Sequence, residues 1–368
     1  MNSPESKDPR NRVAADGQAD RKMSICLVRL SALGDVVMVL PLVRALQLQR
    51  PAARLTWIIG RGAYPLVAAL ADEGIEFVVV DKPCTPLGYL RFWRMLAGRK
   101  FDVALCLQAN WRVHWMYLLI SARRKIGFSA DRAKDFHRWF VSESVASPRS
   151  HNVDAFGKFG EALGLAQPPV ATWRLPVSAE AAVWADRHLP AGPLLVVAPC
   201  ASKSERDWLP ERYAAVMRAA GEKHGAVLVL VGGRSRRELA LAGAIRAAIP
   251  QPVCDLTGQT TLPQFVAVLA RARVLLAPDT AAVHLANALG RPVVGLYAVA
   301  RSRRTGPYGQ LQFCVDRYEE AVRKILGRDP AHGADDLRVH DRRAMHLIEV
   351  ADVLQQLDRA WAEGVAMT

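Results

Sequence analysis

The sequence predicts an α/β protein made of two parallel-sheet units, and three observations carry that reading. Short continuous apolar runs alternate with longer segments of helical period. The runs end in turns rich in Gly, Ser, Asp or Pro. A proline-rich break between Gly164 and Pro193 separates two such series. A strand that is apolar on both faces is covered on both faces, as in a parallel sheet flanked by helices.

In the first series the strands read as Ser24–Leu30, Leu55–Ile59, Glu76–Val80 and Val103–Leu107, with helices at Pro41–Leu48, Tyr64–Leu70 and Leu87–Ala97. In the second they read as Leu194–Ala198, Ala226–Val231, Val274–Ala277 and Val293–Tyr297. Their helical partners are Glu211–Lys223, Arg237–Ala248, Leu262–Arg271 and Ala282–Leu289. The break carries Gln167-Pro168-Pro169 and Leu189-Pro190-Ala191-Gly192-Pro193 around a helix at Ala179–His188. A last helix, Ile348–Ala362, has apolar residues at helical spacing and must pack on something. The expected organisation is a disordered tail at 1–22, a first domain at 23–175, a second at 176–345 and a terminal helix at 346–368. No internal repeat of fixed period appears. Two such units enclose a cleft, and ligands of parallel sheets bind at the carboxyl ends of the strands.

Composition agrees with this. The chain has 368 residues, 51% hydrophobic and 23% charged, enough for two cores and unlike a disordered protein. No apolar run approaches the roughly 18–20 residues of a membrane-spanning helix. Met1–Lys22 lacks the apolar stretch of a secretory signal. The six cysteines are never closer than 22 positions, which excludes a CxxC site and favours buried free thiols in a reducing cytoplasm. The net charge of +14 suits nucleic acid, an anionic membrane or an anionic substrate. No nucleic-acid module is recognisable, so nucleic acid is not an expected partner.

The first chemical motif is Ser31-Ala32-Leu33-Gly34-Asp35, directly after the first strand. Asp35 is either a helix cap beside the Gly34 turn or a carboxylate facing the cleft, where it would take a proton from an attacking hydroxyl. The second is Asp279-Thr280-Ala281-Ala282-Val283-His284, between a strand and a helix. Free N–H groups at such a helix start hold anions. Asp279 and Thr280 read either as caps or as sugar and phosphate contacts, and His284 as a core residue or a ligand contact. A third segment follows the strand Leu194–Ala198: Ser202, Lys203 and Arg206 offer a hydroxyl and two cations for phosphate. Glu238, beyond Gly232-Gly233, suits either a ribose diol or a helix first turn.

The chain has no GxxxxGK[ST] loop, no GxSxG elbow and no HExxH, and its nine histidines show no metal-ligand cadence. No metal or organic cofactor is expected.

These motifs resemble those of glycosyltransferase family 9, the lipopolysaccharide heptosyltransferases. Ser31–Val36 is similar to the family's first-strand signature, and Asp279-Thr280-(x)3-His284-Leu285-Ala286-(x)2-Leu289-Gly290-Arg291-Pro292 to its second. Gln108, Ile126-Gly127-Phe128 and Arg206-x-Trp208 fall at similar intermediate positions, and the similarity spans about residues 23 to 360. The resemblance implies a GT-B fold, two Rossmann-like domains facing across a cleft, with the last helix crossing back to the first domain. It implies inverting, metal-independent transfer from ADP-heptose to the lipopolysaccharide core or lipid A acceptor, with Asp35 as general base. Ser202 and Arg206 would then meet the diphosphate, Glu238 the ribose, and the Asp279–His284 turn phosphate and heptose. Two departures stand out: Ala281 replaces the family's Gly, and Trp208-Leu209-Pro210 its Trp-Pro.

Other readings remain open at this point. One is transfer of a different nucleotide sugar to a surface glycan; another is a non-catalytic nucleotide or anionic-lipid binder. Ser31, Gly34 and Gln108 are expected on the acceptor side. Arg61 and Arg132, with Arg123 and Arg124, are expected to guide an anionic acceptor at the inner face of the inner membrane. Such electrostatic association would be released by moderate salt.

Overall fold

The computed structural model describes residues 22–130, 132, 136–146, 151–166, 173–330 and 337–366. The expected tail before Lys22 and the Gln167-Pro168-Pro169 part of the linker lie outside the described residues.

The first sheet has six parallel strands: β1 (Ser24–Val28), β2 (Arg54–Gly60), β3 (Ile75–Val80), β4 (Phe101–Cys106), β5 (Ala122–Phe128) and β6 (Glu143–Val145). The second has β7 (Leu194–Val197), β8 (Val227–Leu230), β9 (Val253–Asp255), β10 (Ala272–Pro278), β11 (Val293–Tyr297) and β12 (Val315–Asp316), again all parallel. Their spatial orders are β3-β2-β1-β4-β5-β6 and β12-β11-β10-β7-β8-β9. Read from its own first strand, each sheet has the same doubly wound order, so the chain repeats its topology without repeating its sequence. In such a sheet the order reverses between the first and fourth strands, leaving a crevice at their carboxyl ends. Those strands are β1 and β4 in the first unit, β7 and β10 in the second.

The helices are α1 (Leu33–Met38), α2 (Leu40–Gln49), α3 (Pro86–Met95), α4 (Trp111–Leu119), α5 (Asn152–Glu161), α6 (Ala179–His188), α7 (Pro210–His224), α8 (Arg236–Ala247), α9 (Leu262–Arg271), α10 (Ala281–Ala288), α11 (Ser302–Thr305), α12 (Tyr318–Leu326), α13 (Arg343–His346) and α14 (Val350–Ala366). The central strands are buried along their length, Ile25 to Val28 and Val274 to Ala277 at 0% exposure, which is why they read as unbroken apolar runs. One apolar core runs from the face of the first sheet covered by α1, α2 and α5 into the second unit, joining Val36 and Phe159 to Ala282 and Leu285. The other face of the first sheet closes separately under Phe92 of α3 and Val113, Met116 and Tyr117 of α4.

Three expectations need correction. The segment Tyr64–Leu70 forms two 3-10 turns, Tyr64–Leu66 and Ala68–Ala71, rather than a helix. Pro65, second in the first turn, favours its start, but the apolar stripe is too short to carry a longer helix. The last helix does not cross back: Val353, Leu357, Ala360 and Trp361 of α14 enter the core of the second unit. Polar contacts hold it there. Asp358 accepts from Lys223 and His224 of α7, both at 2.8 Å, and the Arg273 guanidinium lies 5.1 Å from the Trp361 ring centre. The cysteines are all free, but only Cys26 and Cys106 are fully buried, and Cys84 is exposed.

Candidate active site

The site is built where the two switch points meet. After β1 the chain turns through Leu30, Ser31 and Ala32 into α1, whose third residue is Asp35. Asp35 does not take the cap position, which Ala32 occupies. Its Oδ2 accepts from the Arg29 guanidinium and, at 3.4 Å, from the Ala32 N–H. Arg29 is itself anchored, donating to the Leu107 carbonyl at 2.6 Å and resting 5.6 Å from the Phe156 ring centre. A buried arginine thus aims a carboxylate whose side chain remains 29% exposed toward the cleft. Gln108, at the end of β4, accepts from the Leu30 N–H at 2.9 Å and so ties the two switch-point strands together. Ser31 is exposed on the turn above it.

Across the cleft, α10 begins directly after β10. Thr280 stands at its cap position, but its side chain makes no capping bond. The first N–H groups of α10 therefore rely on something other than a side chain, the arrangement that receives anions. Ala281 lies in ordinary helical backbone, so the Ala in place of Gly is accommodated without strain. Asp279 does not cap either: its buried carboxylate pairs with Arg206 at 3.1 Å, and the same guanidinium reaches the Asp279 carbonyl at 3.3 Å. Burial pushes the Asp279 carboxyl above its ordinary range, Arg206 and Arg338 oppose that, and the charge of Asp35 adds to it.

His284, one turn into α10, fixes the closeness of the two units. A Cβ placed on Gly34 would lie 2.5 Å from its Cδ2, so the start of α1 sits against the imidazole and only glycine leaves room. Burial lowers the His284 pKa to about 4, against the pull of Asp35. The ring is therefore neutral at pH 7. A second buried histidine, His151 just before α5, spans the units by donating from Nε2 to the Gly306 carbonyl at 2.9 Å. Tyr308 completes this hinge-side contact by donating to Asp154.

Asp35, Asp279, Arg206, His284 and Gly34 are thus brought together, although they come from parts of the chain up to 250 residues apart. Ser202 and Lys203 are exposed on the loop after β7. That loop is held from below by Asp207, which accepts from the Ala201 N–H at 2.9 Å and from Arg237, and Arg237 also reaches the Ala201 carbonyl. Glu238 closes a capping box with Ser235 and accepts from the Gly233 N–H at 2.8 Å. Burial raises its pKa, but the bonds from Ser235 and Gly233 outweigh that and leave it lowered.

Of the expected guiding arginines, Arg61, Arg124 and Arg132 have hydrogen-bonded partners. Arg61 grips Asp81 through three contacts of 3.1–3.2 Å and is not a bare cation. Arg132 donates to Asn152 at 2.8 Å, beside His151. Arg123 and Arg124 stand at the start of β5, the edge away from the carboxyl ends, and Arg124 pairs with Glu143 at 2.7 Å. The residues missed from sequence are Arg29, Asp207, Arg237 and His151. Arg29 carried a signal, an arginine closing an apolar strand just before the Asp35 turn. The others have partners that no local pattern reveals. Among the described residues, no group of three or more His, Cys, Asp or Glu converges as a metal donor set.

Burial of neutral histidines has a measurable consequence. His137, His151 and His284 are each lowered to about 4, chiefly by desolvation, while an unfolded chain holds histidine near 6.5. The unfolded state therefore binds more protons below pH 6.5, and stability falls as pH drops from 6.5 toward 4. The full effect is on the order of 3 kcal/mol per histidine. The melting temperature should decline through this window, and less steeply in His151→Gln; an unchanged slope in that variant would refute the assignment.

Comparisons with known proteins agree with this architecture. The model of glycosyltransferase family 9 (heptosyltransferase) matches residues 89–329. The chain is similar to the lipopolysaccharide core heptosyltransferase OpsX of Haemophilus influenzae, 32% identical over 340 residues, 91% of this chain and 96% of that protein. In structure it is similar to the glycosyl transferase family 9 protein of Veillonella parvula, with a TM-score of 0.77 and 20% identity over 93% of this chain and 98% of that one. It is also similar to Escherichia coli heptosyltransferase WaaC with ADP, with a TM-score of 0.69 and 18% identity over 92% and 100% of the two chains. The likeness extends across both sheets and gives the fold as GT-B. With a family model over most of its length and a relative above 30% identity along nearly all of it, the chain belongs to glycosyltransferase family 9 and is a glycosyltransferase.

Proposed function

We propose that this enzyme transfers heptose from ADP-heptose to the inner core of lipopolysaccharide, with inversion at the anomeric carbon and without a metal ion. The observation that supports the reading is the packing of the Gly34-Asp35 turn on the His284 ring of the Asp279–His284 turn. The similar proteins named above include a lipopolysaccharide core heptosyltransferase and a heptosyltransferase with ADP, which supports the choice of donor and acceptor.

In this mechanism the acceptor hydroxyl oxygen attacks the anomeric carbon of heptose from the side of α1. The bond from that carbon to the diphosphate oxygen breaks, and ADP leaves with the electron pair. Oδ2 of Asp35 is held by Arg29 and the Ala32 N–H, so Oδ1 receives the hydroxyl proton. A carboxylate is a weak base at pH 7, and it acts late, as the hydroxyl acidifies in the transition state. The charge on the departing diphosphate falls on Ser202, Lys203, Arg206 and the first N–H groups of α10, at Ala281 and Ala282. Thr280 and Asp279 hold heptose hydroxyls. Glu238 meets the ribose with the lone pairs its capping box leaves over. Neutral His284 shapes the floor between the units, and Ser31, Gly34 and Gln108 set the acceptor side.

The test is a donor panel. Purified enzyme with a truncated-core acceptor should give a product heavier by one heptose with ADP-heptose, and turnover at least a hundredfold slower with UDP- or GDP-hexoses, consistent with a site built around specific polar contacts. Preference for another nucleotide sugar would replace heptose in this reading. Binding of ADP with no transfer from any donor would leave a nucleotide binder.

A further inference from the structure

The outer face of the first sheet ends in an unusual surface. Among the described residues, thirteen large apolar side chains stand exposed, and nine of them fall between Leu87 and Trp139. They belong to α3, α4 and the short turn His137–Phe140 with Phe136 just before it, which form one layer over the sheet. Trp93, Trp111, Trp115 and Trp139 are 49, 53, 49 and 67% exposed. On α4, Trp111, Trp115 and Leu118 share a face, at helical spacings of four and three, while Val113, Met116 and Tyr117 fill the core beneath. The layer is tied together: Tyr89 donates to the Arg112 carbonyl at 2.9 Å, and Trp115 meets Phe140 edge-on with ring centres 5.7 Å apart. Core packing therefore leaves these rings on the outside as a consistent face.

Charge identifies what covers it. The three segments carry Arg91, Arg94, Arg112 and Arg138, all exposed, and contain no Asp or Glu. Rings with a polar edge among arginines match the headgroup level of an anionic bilayer, where tryptophan sits at the interface and guanidinium groups meet phosphates. A protein partner would need a matching acidic apolar surface, whereas a bilayer supplies both features everywhere. The position fits as well. α4 begins three residues after Gln108, at the carboxyl end of β4, so the patch extends to the rim of the cleft.

We infer that this face docks flat on an anionic lipid surface, its tryptophans in the headgroup layer and the cleft mouth at the membrane plane. The inference rests on the proposed function only for its benefit, since a lipid-anchored acceptor would then enter the cleft without leaving the bilayer. It also moves the membrane contact from Arg61, Arg124 and Arg132, which pair with Asp81, Glu143 and Asn152, to a surface where apolar burial and charge act together.

The test is sedimentation of the full chain with vesicles of phosphatidylglycerol and phosphatidylcholine, and with phosphatidylcholine alone, in the absence of sugar donor and acceptor. The wild type should bind the anionic vesicles and should weaken but persist as salt rises from about 0.1 to about 0.5 M, because screening removes only the arginine part. W93S/W115S/W139S should lose on the order of tenfold in partition at either salt. R91A/R94A/R112A should weaken only at low salt. W111S/L118S probes the same face through other residues, should a melting curve show that the triple aromatic variant is unfolded. Turnover of a short water-soluble acceptor should be unchanged in every folded variant. Wild type that stays in solution with all vesicles, or aromatic variants that sediment like wild type, would overturn the inference. So would light scattering that shows a dimer dispersed by the same aromatic substitutions, since a second copy would then be the occupant. A donor panel that fails leaves these binding results intact, and the reverse holds too.

Discussion

Asp35→Asn should lower kcat by about a thousandfold while the affinity for ADP stays within about threefold of wild type. The size follows from the loss of one positioned general base, which contributes roughly 10²–10⁴ in rate. Asparagine keeps the shape of the side chain and still offers an oxygen to Arg29 and to the Ala32 N–H, so the α1 turn should survive. What is lost is the capacity to take the hydroxyl proton. Steady-state kinetics with a fixed acceptor, together with calorimetric titration of ADP, separate the two effects. A variant with full turnover would remove Asp35 from the chemistry. A variant that loses ADP binding in proportion would make it a structural residue of the cleft.

Arg206→Met should have the second large effect, and on two properties at once. Arg206 and Asp279 are both nearly buried, with 11% of each side chain exposed, and they pair at 3.1 Å. Removing one partner leaves an unpaired charge in a desolvated place, which costs about 3–5 kcal/mol. It also removes a cation from the diphosphate seat, so KM for the donor should rise and kcat fall. The double variant Arg206→Met, Asp279→Asn separates the contributions. With no buried charge left unpaired, its melting temperature should return most of the way to wild type, while turnover stays low. Recovery of both would mean that Arg206 acts only by neutralising Asp279. Recovery of neither would mean that the pair organises the whole loop.

Much of this site was legible because its chemistry is carried by short contiguous stretches. The Ser31–Asp35 turn and the Asp279–His284 turn each follow a fully apolar strand, and a parallel sheet places such turns at its carboxyl edge. The strands β11 and helices α6 and α9 matched their residues as read, since each has clean boundaries: proline or a capping residue at the start, and an apolar face of regular period. Less could be read where local signals conflicted. β5 begins with Ala122-Arg123-Arg124-Lys125, whose charges hide a strand that pairs with β4 and β6 through its backbone. α4 exposes tryptophans and a leucine that a core-facing pattern would bury, so its period was obscured by the very residues that form the outer patch. α5 carries Gly157 and Gly160, poor helix formers that packing against α2 overrides. The direction of the last helix depends on a tertiary choice between two apolar surfaces, and its own stripe does not encode which. The same limit hid the partner of Asp279: Arg206 is 73 residues away, and only the pairing of β7 with β10 in the second sheet shows that it belongs to that carboxylate.

Gly34 fixes how closely the two units approach. Because the first helical turn of one unit touches the imidazole of the other, the distance between base and diphosphate seat is set by packing and not by a flexible hinge alone.

A crystal structure of the Asp35→Asn enzyme, with a non-transferable ADP-heptose analogue and a truncated-core acceptor, would show whether residue 35 and the Thr280 turn face the same reacting carbon. The predicted result is an acceptor hydroxyl between residue 35 and the anomeric carbon, with the diphosphate against Lys203, Arg206 and the start of α10. A diphosphate seated outside the Thr280 turn, or an anomeric carbon presented to any residue other than that at position 35, would contradict it.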